Sequence, residues 1–273
     1  MTVPSLTLND KTTIPQLGFG VFQVPPAQTQ ETVETAFAVG YRHIDTAQMY
    51  GNEEGVGQAL AESGLSRDEV FITTKLNNDG HSFEAAVERL DESLAKLRTD
   101  HVDLYLIHWP RPREDRYVET WKGLEKALAD GKARSIGVSN FTVTNLERLA
   151  KETDTVPAVN QIELHPRLVQ RELRNYHVEH GIRTEAWSPI AQGGDLLTES
   201  TLKDLAEKYG KTPAQVVLRW HVQLGNIVFP KSMKPERMRE NIDIFDFELA
   251  DDVAAITGLN VDGRLGPDPD RFG

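Results

Sequence analysis

The 273-residue chain contains no cysteine, and this absence removes several kinds of chemistry. Disulfides, thiolate nucleophiles and cysteine-ligated metals are all excluded. The chain also lacks any apolar run near the roughly 18 residues that a membrane-spanning helix needs. Its first residues do not place an apolar stretch after a basic start, so we expect no signal peptide. We therefore predict a cytoplasmic protein with no membrane partner and no metal site.

Positive charge is scarce as well. The chain has 30 Lys and Arg against 42 Asp and Glu, which gives a formal net charge of −12. Non-specific binding to nucleic acid or to an anionic membrane needs a basic face. The composition thus predicts no nucleic-acid partner, although a local basic pocket for one phosphate group stays open. Hydrophobic residues at 39% are typical of a globular protein.

Short apolar runs alternate with amphipathic segments along the chain. Runs of this kind predict strands that are buried on both faces, as in a parallel sheet. The predicted strands are 41–45, 70–75, 102–108, 133–139, 158–164, 182–187 and 226–232, with a weaker eighth at 241–245. The predicted helices are 28–39, 53–63, 83–97, 116–130, 143–152 and 170–179, and one that begins at the cap Thr212-Pro213.

This alternation indicates βα units. Seven or eight units, with no linker or break in composition, favour a closed (β/α)8 TIM barrel, an α/β fold that forms a single domain over residues 1–273. An open doubly wound sheet is the structural alternative. Residues 4–8 and 12–16 predict a short N-terminal β-hairpin before the barrel. Residues 263–273, rich in Pro and Gly, predict an irregular C-terminal tail.

Polar side chains stand where the predicted strands end. Asp45 ends the first predicted strand, Lys75 the second and His108 the third. Each alone has an ordinary structural interpretation, as a helix cap, a solvated lysine or a hydrogen-bonded core histidine. Together they would be costly to bury unless they paired. Because active sites of barrels lie at the carboxyl ends of the strands, we expect these side chains to form one.

No G-x-G-x-x-G motif follows a predicted strand, and Gly51 and Gly57 have the wrong spacing for one. A nicotinamide enzyme of this sequence must therefore hold its cofactor in another way. Four cations lie close together near the C-terminus: Lys231, Lys234, Arg237 and Arg239. They form either a solvated helix start or a clamp for a phosphate group, to which Arg and Lys are well suited.

Five longer segments are similar to those of the aldo-keto reductases. They are GYRHIDTAQMYGNEEGVG (40–57), LIHWP (106–110), GKARSIGVSNF (131–141), NQIELHP (160–166) and FPKSMKPERMREN (229–241). The resemblance covers nearly the whole chain in the family's order, and is greatest to the bacterial 2,5-diketo-D-gluconate reductases. It implies an NADP-dependent oxidoreductase that reduces an aldehyde, a ketoacid or a keto-sugar such as 2,5-diketo-D-gluconate.

The resemblance implies a catalytic tetrad of Asp45, Tyr50, Lys75 and His108. Hydride addition to a carbonyl leaves negative charge on its oxygen, so a proton donor is needed, and Tyr50 would supply it. A free tyrosine has a pKa near 10, and the cation Lys75 would stabilise its ionised form. Asp45 would pair with Lys75 and hold it in place. His108 would hydrogen-bond and orient the carbonyl oxygen, and could also take part in proton transfer.

By the same resemblance, NADPH is the cofactor and lies across the mouth of the barrel. Ser139, Asn140 and Gln161 would bond its carboxamide, and Trp187 would stack on the nicotinamide. The other implied contacts are Ser188, Ile190 and Gln192 near the pyrophosphate, Lys231, Ser232 and Arg237 on the 2′-phosphate and adenine, and Glu240 and Asn241 on the adenine.

The implied substrate pocket is lined by Phe22, Gln48, Met49, Asn77 and Trp109. Many relatives carry an aromatic residue in place of Asn77, so this chain should have a more polar and roomier mouth. Phe22 and Trp109 have an alternative interpretation as ordinary packing at the barrel rim. No coiled-coil heptad or swapped arm is evident, so we expect a monomer.

Two other functions are open. Asp45 and Lys75 alone would suit an aldolase-type lyase in which Lys75 forms a Schiff base. That hypothesis gives no role to Tyr50 or to the basic segment. The other is a non-catalytic barrel that binds NADPH as a sensor, and the complete tetrad argues against it.

Overall fold

The computed structural model describes residues 3–272, and each strand of its barrel is followed by at least one helix. The strands are β1 (Ser5–Thr7), β2 (Thr13–Pro15), β3 (Phe19–Gly20), β4 (His43–Asp45), β5 (Phe71–Leu76), β6 (Val102–Ile107), β7 (Ala133–Ser139), β8 (Val159–Glu163), β9 (Arg183–Trp187) and β10 (Ile227–Val228). The α-helices are α1 (Pro26–Val39), α2 (Glu53–Glu62), α3 (Phe83–Leu97), α4 (Tyr117–Ala129), α5 (Val143–Glu152), α6 (Arg171–Glu179), α7 (Ser200–Tyr209), α8 (Pro213–Gln223), α9 (Pro235–Ile242) and α10 (Val253–Thr257).

The strands β3 to β10 form one parallel sheet in which neighbours along the chain are neighbours in space. The two ends of this sheet meet. The N–H of Gly18 donates to the carbonyl oxygen of Val228 at 2.9 Å, and the N–H of Val228 donates to that of Gln16 at 3.1 Å. The sheet therefore closes into the predicted (β/α)8 barrel, and the open doubly wound alternative is wrong.

The strand prediction was wrong at one end of the barrel. Residues 241–245 form no strand, because α9 extends to Ile242. The eighth strand is instead β3, which has only two residues and is too short to show a periodic pattern. Asp45 and Lys75 therefore lie in the second and third barrel strands, and His108 follows the fourth. The other predicted strands and helices are confirmed with shifted ends, and the last predicted strand shrinks to two residues.

The predicted N-terminal hairpin is confirmed, and it closes the amino-terminal end of the barrel. β1 pairs antiparallel with β2, with Leu6 opposite Ile14. Leu8 and Ile14 pack in a buried apolar cluster with Phe71 and Ile227, which are the first residues of β5 and β10. Because the hairpin covers this end, the carboxyl ends of the strands form the open face, where barrel enzymes bind their substrates.

A larger apolar cluster fills the space between the sheet and the helices, and α3 shows how a helix joins it. Its first turn is capped by Ser82, whose hydroxyl accepts the N–H of Ala85 at 3.0 Å. Leu90, Leu94 and Leu97 recur at helical spacing and are buried against the sheet. Burying each leucine contributes about 1.5–3 kcal/mol.

After α10 no further helix or strand occurs up to residue 272, which confirms the irregular tail over its described part. Of the helices in residues 3–272, none has the length and apolar character needed to cross a membrane.

Candidate active site

Side chains from six neighbouring strands meet at the open face of the barrel, because the carboxyl ends of parallel strands share one edge. Asp45 ends β4, Lys75 lies one residue before the end of β5, His108 follows β6, Ser139 ends β7, Gln161 lies within β8 and Trp187 ends β9. All of them except Trp187 are buried. The structure thus brings together the polar strand-end residues that the sequence singled out.

Lys75 stands at the centre of this cluster. Its ammonium nitrogen lies 2.7 Å from Oδ1 of Asp45, 2.9 Å from the carbonyl oxygen of Thr46 and 3.4 Å from the hydroxyl of Tyr50. Burial by itself lowers the pKa of Lys75. The charges and hydrogen bonds of Asp45 and Tyr50 outweigh burial, and raise this pKa above its usual value. Lys75 is therefore held as a cation.

Tyr50 reaches Lys75 from a single 3-10 turn, Gln48–Tyr50, that follows β4. Gly51 ends the turn with a φ of 66°, a conformation that glycine adopts without strain. Burial raises the pKa of Tyr50 and Lys75 lowers it, and the net direction is upward. Lys75 acts in the expected direction, but burial outweighs it. The phenol therefore keeps its proton at neutral pH, as a proton donor must.

His108 is buried beside Tyr50, with the two ring centroids 5.7 Å apart in an edge-to-face arrangement. Burial, together with the cation Lys75, holds the pKa of His108 well below its usual value. The imidazole is therefore neutral at physiological pH, and can donate one hydrogen bond and accept another. Its Nδ1 has no hydrogen-bond partner among the described residues. A neutral donor suits the orientation of a carbonyl oxygen better than the supply of a proton.

Ser139, Asn140 and Trp187 form a hydrogen-bonded group next to His108. The indole N–H of Trp187 donates to Oδ1 of Asn140 at 2.8 Å. Nδ2 of Asn140 donates to the carbonyl oxygen of His108 and to the hydroxyl of Ser139, both at 3.0 Å. Asn140 has a φ of 62°, in the left-handed region that asparagine tolerates better than most residues. These bonds fix the indole of Trp187 at the mouth.

Gln161 connects the tetrad to Glu185, a residue that the sequence analysis missed. Its Nε2 donates to Oδ2 of Asp45 at 2.8 Å and to Oε2 of Glu185 at 3.0 Å. Glu185 pairs with Gln161 in the register of β8 and β9 and is fully buried. Burial first, and then the charge of Asp45, raises the pKa of Glu185 to about 8. A signal was present, since a carboxylate two residues before Trp187 in a strand faces the same side.

The C-terminal tail is anchored at this face by Glu163, the last residue of β8. The backbone N–H groups of Leu265 and Gly266 donate to its two carboxylate oxygens, at 2.6 and 2.9 Å. His165 lies 3.0 Å from the same carboxylate, and Arg264 lies 3.7 Å from it. Glu163 is therefore one attachment point of the tail, and the carbonyl oxygen of Arg167, which accepts the N–H of Gly263 at 2.9 Å, is another.

The anchored tail touches two of the residues assigned to the mouth. Gly266 lies so close to the indole of Trp187 that a Cβ at this position would clash with it. Phe272 packs on Trp109 with ring centroids 4.5 Å apart. The tail therefore covers the mouth on the sides of the proposed nicotinamide and substrate residues.

The basic segment follows β10 and extends into α9, where Arg237 and Arg239 lie. Ser232 is buried, and its hydroxyl accepts the N–H of Lys234 at 3.1 Å. The four cations of the segment are exposed, and none forms an ion pair with another residue in the range 3–272. In a protein with an excess of carboxylates, four exposed and unpaired cations leave room for an anion such as a phosphate.

The remaining residues assigned to the cofactor lie in two places. Ser188, Ile190 and Gln192 belong to the loop after β9, in which Ser188 and Gln192 have φ values of 50° and 59°. Glu240 and Asn241 lie in the last turn of α9. Glu240 accepts a hydrogen bond of 2.6 Å from the hydroxyl that caps α8, and Asn241 is buried. Since β9 and β10 are adjacent, the loops that follow these two strands are neighbours.

Phe22 and Met49, two of the residues assigned to the substrate pocket, are exposed at the rim by 52% and 44%. Phe22 also packs on the ring of Tyr50, with centroids 5.1 Å apart. Two large exposed apolar side chains beside a buried polar cluster form a wall that a substrate can contact.

Gln48 and Asn77 hold the loops of the mouth together. Nε2 of Gln48 donates to the carbonyl oxygen of Arg89 at 2.7 Å, and its Oε1 accepts the N–H of Asn77 at 2.9 Å. Oδ1 of Asn77 accepts the N–H of Asn78 at 2.8 Å. The amide of Gln48 is therefore occupied within the protein, whereas Nδ2 of Asn77 keeps its capacity to donate.

Over the described range 3–272, no three His, Asp or Glu side chains are grouped so that they could hold a metal ion.

Comparison with known proteins agrees with this geometry. The sequence pattern of the aldo/keto reductase family matches residues 16–260. The chain is 52% identical to an aldo-keto reductase of Mycobacterium sp. (strain KMS), over 100% of the chain and 99% of that protein. It is 50% identical to methylglyoxal reductase DkgA of Escherichia coli (strain K12), over 98% of each. A crystal structure of a Gox0644 mutant in complex with NADPH superposes with a TM-score of 0.96, at 46% identity over 100% of both chains. The chain belongs to the aldo/keto reductase family.

Proposed function

We propose that the protein is an NADPH-dependent reductase of aldehydes, ketoacids or keto-sugars in which Tyr50 is the proton donor. The observation that carries the proposal is the buried ammonium of Lys75, 2.7 Å from Asp45 and 3.4 Å from the Tyr50 hydroxyl. A cation between a carboxylate and a phenol stabilises the phenolate that remains after proton donation. His108 beside Tyr50 would hold the carbonyl oxygen in place.

The residues around this cluster fit NADPH. Gln161 uses its amide nitrogen on Asp45 and Glu185, which leaves its carbonyl oxygen to accept from a carboxamide. The unpaired cations Lys231 and Arg237 suit a 2′-phosphate, and the Gox0644 structure contains NADPH in the same fold. Bound NADPH would supply the hydride. Tyr50 would give its proton to the carbonyl oxygen as the carbonyl carbon is reduced, so that the product is the alcohol.

The state of Lys75 disfavours the lyase hypothesis. Schiff-base formation begins with a neutral amine, whereas Lys75 has three hydrogen-bond partners and a raised pKa. We expect no substrate adduct at Lys75 after treatment with borohydride.

A steady-state screen of carbonyl compounds with NADPH tests the proposal. Methylglyoxal and 2,5-diketo-D-gluconate are the first probes, because the chain is similar to reductases of these compounds. We expect turnover by the wild type and a loss of about 10²–10⁴-fold in Tyr50→Phe, the range for a general acid. NADPH affinity should change little, and Tyr176→Phe, on the outer helix α6, is the matched control. A wild type that turns over no carbonyl, or a Tyr50→Phe variant with normal turnover, would contradict the proposal. Measured turnover also excludes a purely sensory role.

We further propose that the chain acts in the cytoplasm as a single-domain monomer. The described residues 3–272 contribute to one closed barrel, and a net charge of −12 disfavours self-association. Light scattering at two protein concentrations should give the mass of one chain, and calorimetry should give one unfolding transition. A dimer mass at both concentrations would contradict the monomer.

A further inference from the structure

Four side chains form a continuous hydrogen-bonded series across the interior of the barrel. It runs from Lys75 to Asp45 at 2.7 Å, from Asp45 to Gln161 at 2.8 Å and from Gln161 to Glu185 at 3.0 Å. All four are at most 5% exposed. The hydrogen-bonded series therefore connects the tetrad to Glu185, a buried acid that the proposed reaction does not use.

The two carboxyl groups of this series, those of Asp45 and Glu185, determine how the amide of Gln161 is oriented. Both hydrogens of its Nε2 are used, one by Asp45 and one by Glu185. If the amide were turned over, its oxygen would face the carboxylate oxygen of Asp45 at hydrogen-bond distance, and Oε2 of Glu185 would lose the hydrogen that it accepts. A contact between two acceptor oxygens is repulsive, so the carbonyl oxygen of Gln161 stays available for a donor from outside the hydrogen-bonded series. Glu185 contributes to this restraint by accepting the second hydrogen of the amide.

The surroundings of Glu185 favour its neutral form at physiological pH. Oε1 has no hydrogen-bond partner among the described residues, so a negative charge there would be buried without a donor. The charged or titratable groups facing it are Asp45 from β4 and Lys75 from β5, while β8 contributes the amide of Gln161. On the other side of Glu185, β10 places the uncharged side chain of Ile227 opposite it in the strand register. A pKa of about 8 means that Glu185 loses its proton in mildly alkaline solution.

We propose that Glu185 is a positioning residue of the reductase, which orients the amide of Gln161 and sets the charge beside the Asp45–Lys75 pair. This inference rests on the function proposed above. When Glu185 is neutral, the positive charge of Lys75 is balanced by Asp45 alone. When Glu185 ionises, the hydrogen-bonded series carries a second negative charge. Tyr50 then holds its proton more tightly, because its phenolate would lie near this added charge. Ionised Glu185 thus opposes alcohol oxidation, which needs the deprotonated phenol.

Two substitutions separate the two roles. Glu185→Leu removes the acceptor for Gln161, whereas Glu185→Gln keeps an acceptor and removes the ionisation. The control is Glu53→Gln. Glu53 is a buried acid of α2 that accepts a hydrogen bond from the Thr74 hydroxyl, and it does not belong to the hydrogen-bonded series. Titrations use NADP⁺ and adenosine 2′,5′-bisphosphate, which lacks the nicotinamide.

For binding, we expect Glu185→Leu to weaken NADP⁺ about five- to tenfold, the equivalent of one hydrogen bond, and to leave adenosine 2′,5′-bisphosphate unchanged. A merely destabilised protein would lose affinity for both ligands. Glu185→Gln and Glu53→Gln should bind both ligands like the wild type.

For pH dependence, the rise of kcat/KM for alcohol oxidation should begin at lower pH in Glu185→Gln than in the wild type. We expect a displacement of about one pH unit or less, since the effect of the Glu185 charge on Tyr50 is reduced by an effective dielectric constant of about 20. Glu53→Gln should keep the wild-type profile.

Thermal unfolding without cofactor gives a third, independent measurement. Because the folded-state pKa of Glu185 is raised, its stabilising contribution is complete below the unfolded pKa of about 4.5 and is lost as pH rises through about 8. The Tm of the wild type should therefore fall relative to that of Glu185→Gln across this range. Identical pH profiles and Tm curves for these two proteins would overturn the proposal in an active enzyme, even if Glu185→Leu does not fold. Absence of any carbonyl turnover by the wild type would instead refute the proposed function.

Discussion

The carboxylate of Glu163 accepts the backbone N–H of Leu265 at 2.6 Å, although the two residues are 102 positions apart in the sequence. This bond and its neighbour from Gly266 join the sixth barrel strand to the tail that covers the mouth. Both are hydrogen bonds to a charged acceptor, which contribute about 1.5–3 kcal/mol each, against about 0.5–1.5 for neutral ones. The attachment of Leu265 and Gly266 therefore depends on one buried negative charge.

We predict that Glu163→Gln loosens the tail without unfolding the barrel. The substitution keeps the shape of the side chain but removes its charge, so exchange of the Leu265 and Gly266 amide hydrogens should speed up about tenfold. Hydrogen-exchange mass spectrometry on the C-terminal peptide measures this directly. Glu69→Gln, at a surface turn that caps with Ser66, is the control and should leave the peptide unchanged. Unaltered exchange in Glu163→Gln would show that the tail is held by other contacts.

The same anchor should respond to acid. Burial raises the pKa of Glu163, but the hydrogen bonds from His165, Leu265 and Gly266 outweigh it and leave the pKa below its usual value. For an acid with a lowered pKa, the stabilisation is present above the unfolded pKa of about 4.5 and is lost as pH falls through the folded value. Tail exchange in the wild type, corrected for intrinsic rates, should increase on acidification below this pH and change less in Glu163→Gln.

A second prediction concerns Lys75→Met. Methionine fills similar space but removes the cation that lies 3.4 Å from the Tyr50 hydroxyl. Burial already raises the pKa of Tyr50, and without Lys75 nothing in the cluster lowers it. We expect carbonyl reduction to be nearly abolished, and any residual alcohol oxidation to need a higher pH. An active variant with a wild-type pH–rate profile would contradict this role.

The sequence predicted the parts of this molecule that rest on periodic patterns and strand ends. Asp45, Lys75 and His108 could be grouped because parallel strands place their carboxyl ends at one face. β3 could not be found, since two residues carry no period. Glu185 was missed because a polar residue inside an apolar run looks like an interruption of the strand, and its burial depends on the closure of the barrel. The direction of the Tyr50 pKa could not be predicted either, because it depends on how far burial outweighs Lys75.

A third prediction concerns the width of the mouth at Asn77. Asn77 directly follows β5, and its N–H donates to Oε1 of Gln48 at 2.9 Å. The family resemblance implies an aromatic residue at this position in many relatives, so we expect the smaller asparagine to leave space at the mouth. Asn77→Trp should lower kcat/KM for a bulky keto-sugar relative to methylglyoxal by about tenfold or more, the scale of a steric change in a pocket. Asn77→Ala removes the amide without filling the space and should keep the wild-type ranking. Equal ratios in all three proteins would mean that Asn77 does not line the pocket.

The last prediction concerns the choice between NADPH and NADH. The two cofactors differ by a phosphate that is dianionic near neutral pH, and removing it from water without cations is costly. Lys231 and Arg237 are exposed, without ion-pair partners among residues 3–272, and flank the N-terminus of α9 at Pro235. An ammonium, a guanidinium and the hydroxyl of Ser232 can together surround one phosphate.

We therefore predict that Lys231→Gly combined with Arg237→His weakens NADPH binding by about a hundredfold or more, since each charge-assisted hydrogen bond contributes about 1.5–3 kcal/mol and 1.4 kcal/mol is tenfold. NADH binding should change much less, because NADH has no 2′-phosphate to occupy this site. The preference for NADPH over NADH should therefore become smaller or reverse. Fluorescence titration with both cofactors measures the two affinities. Lys151→Gln with Arg171→Gln removes the same charge elsewhere on the surface, and should leave the preference intact if the effect is local. If the double variant at Lys231 and Arg237 keeps the full NADPH-to-NADH affinity ratio, the 2′-phosphate is held by other residues.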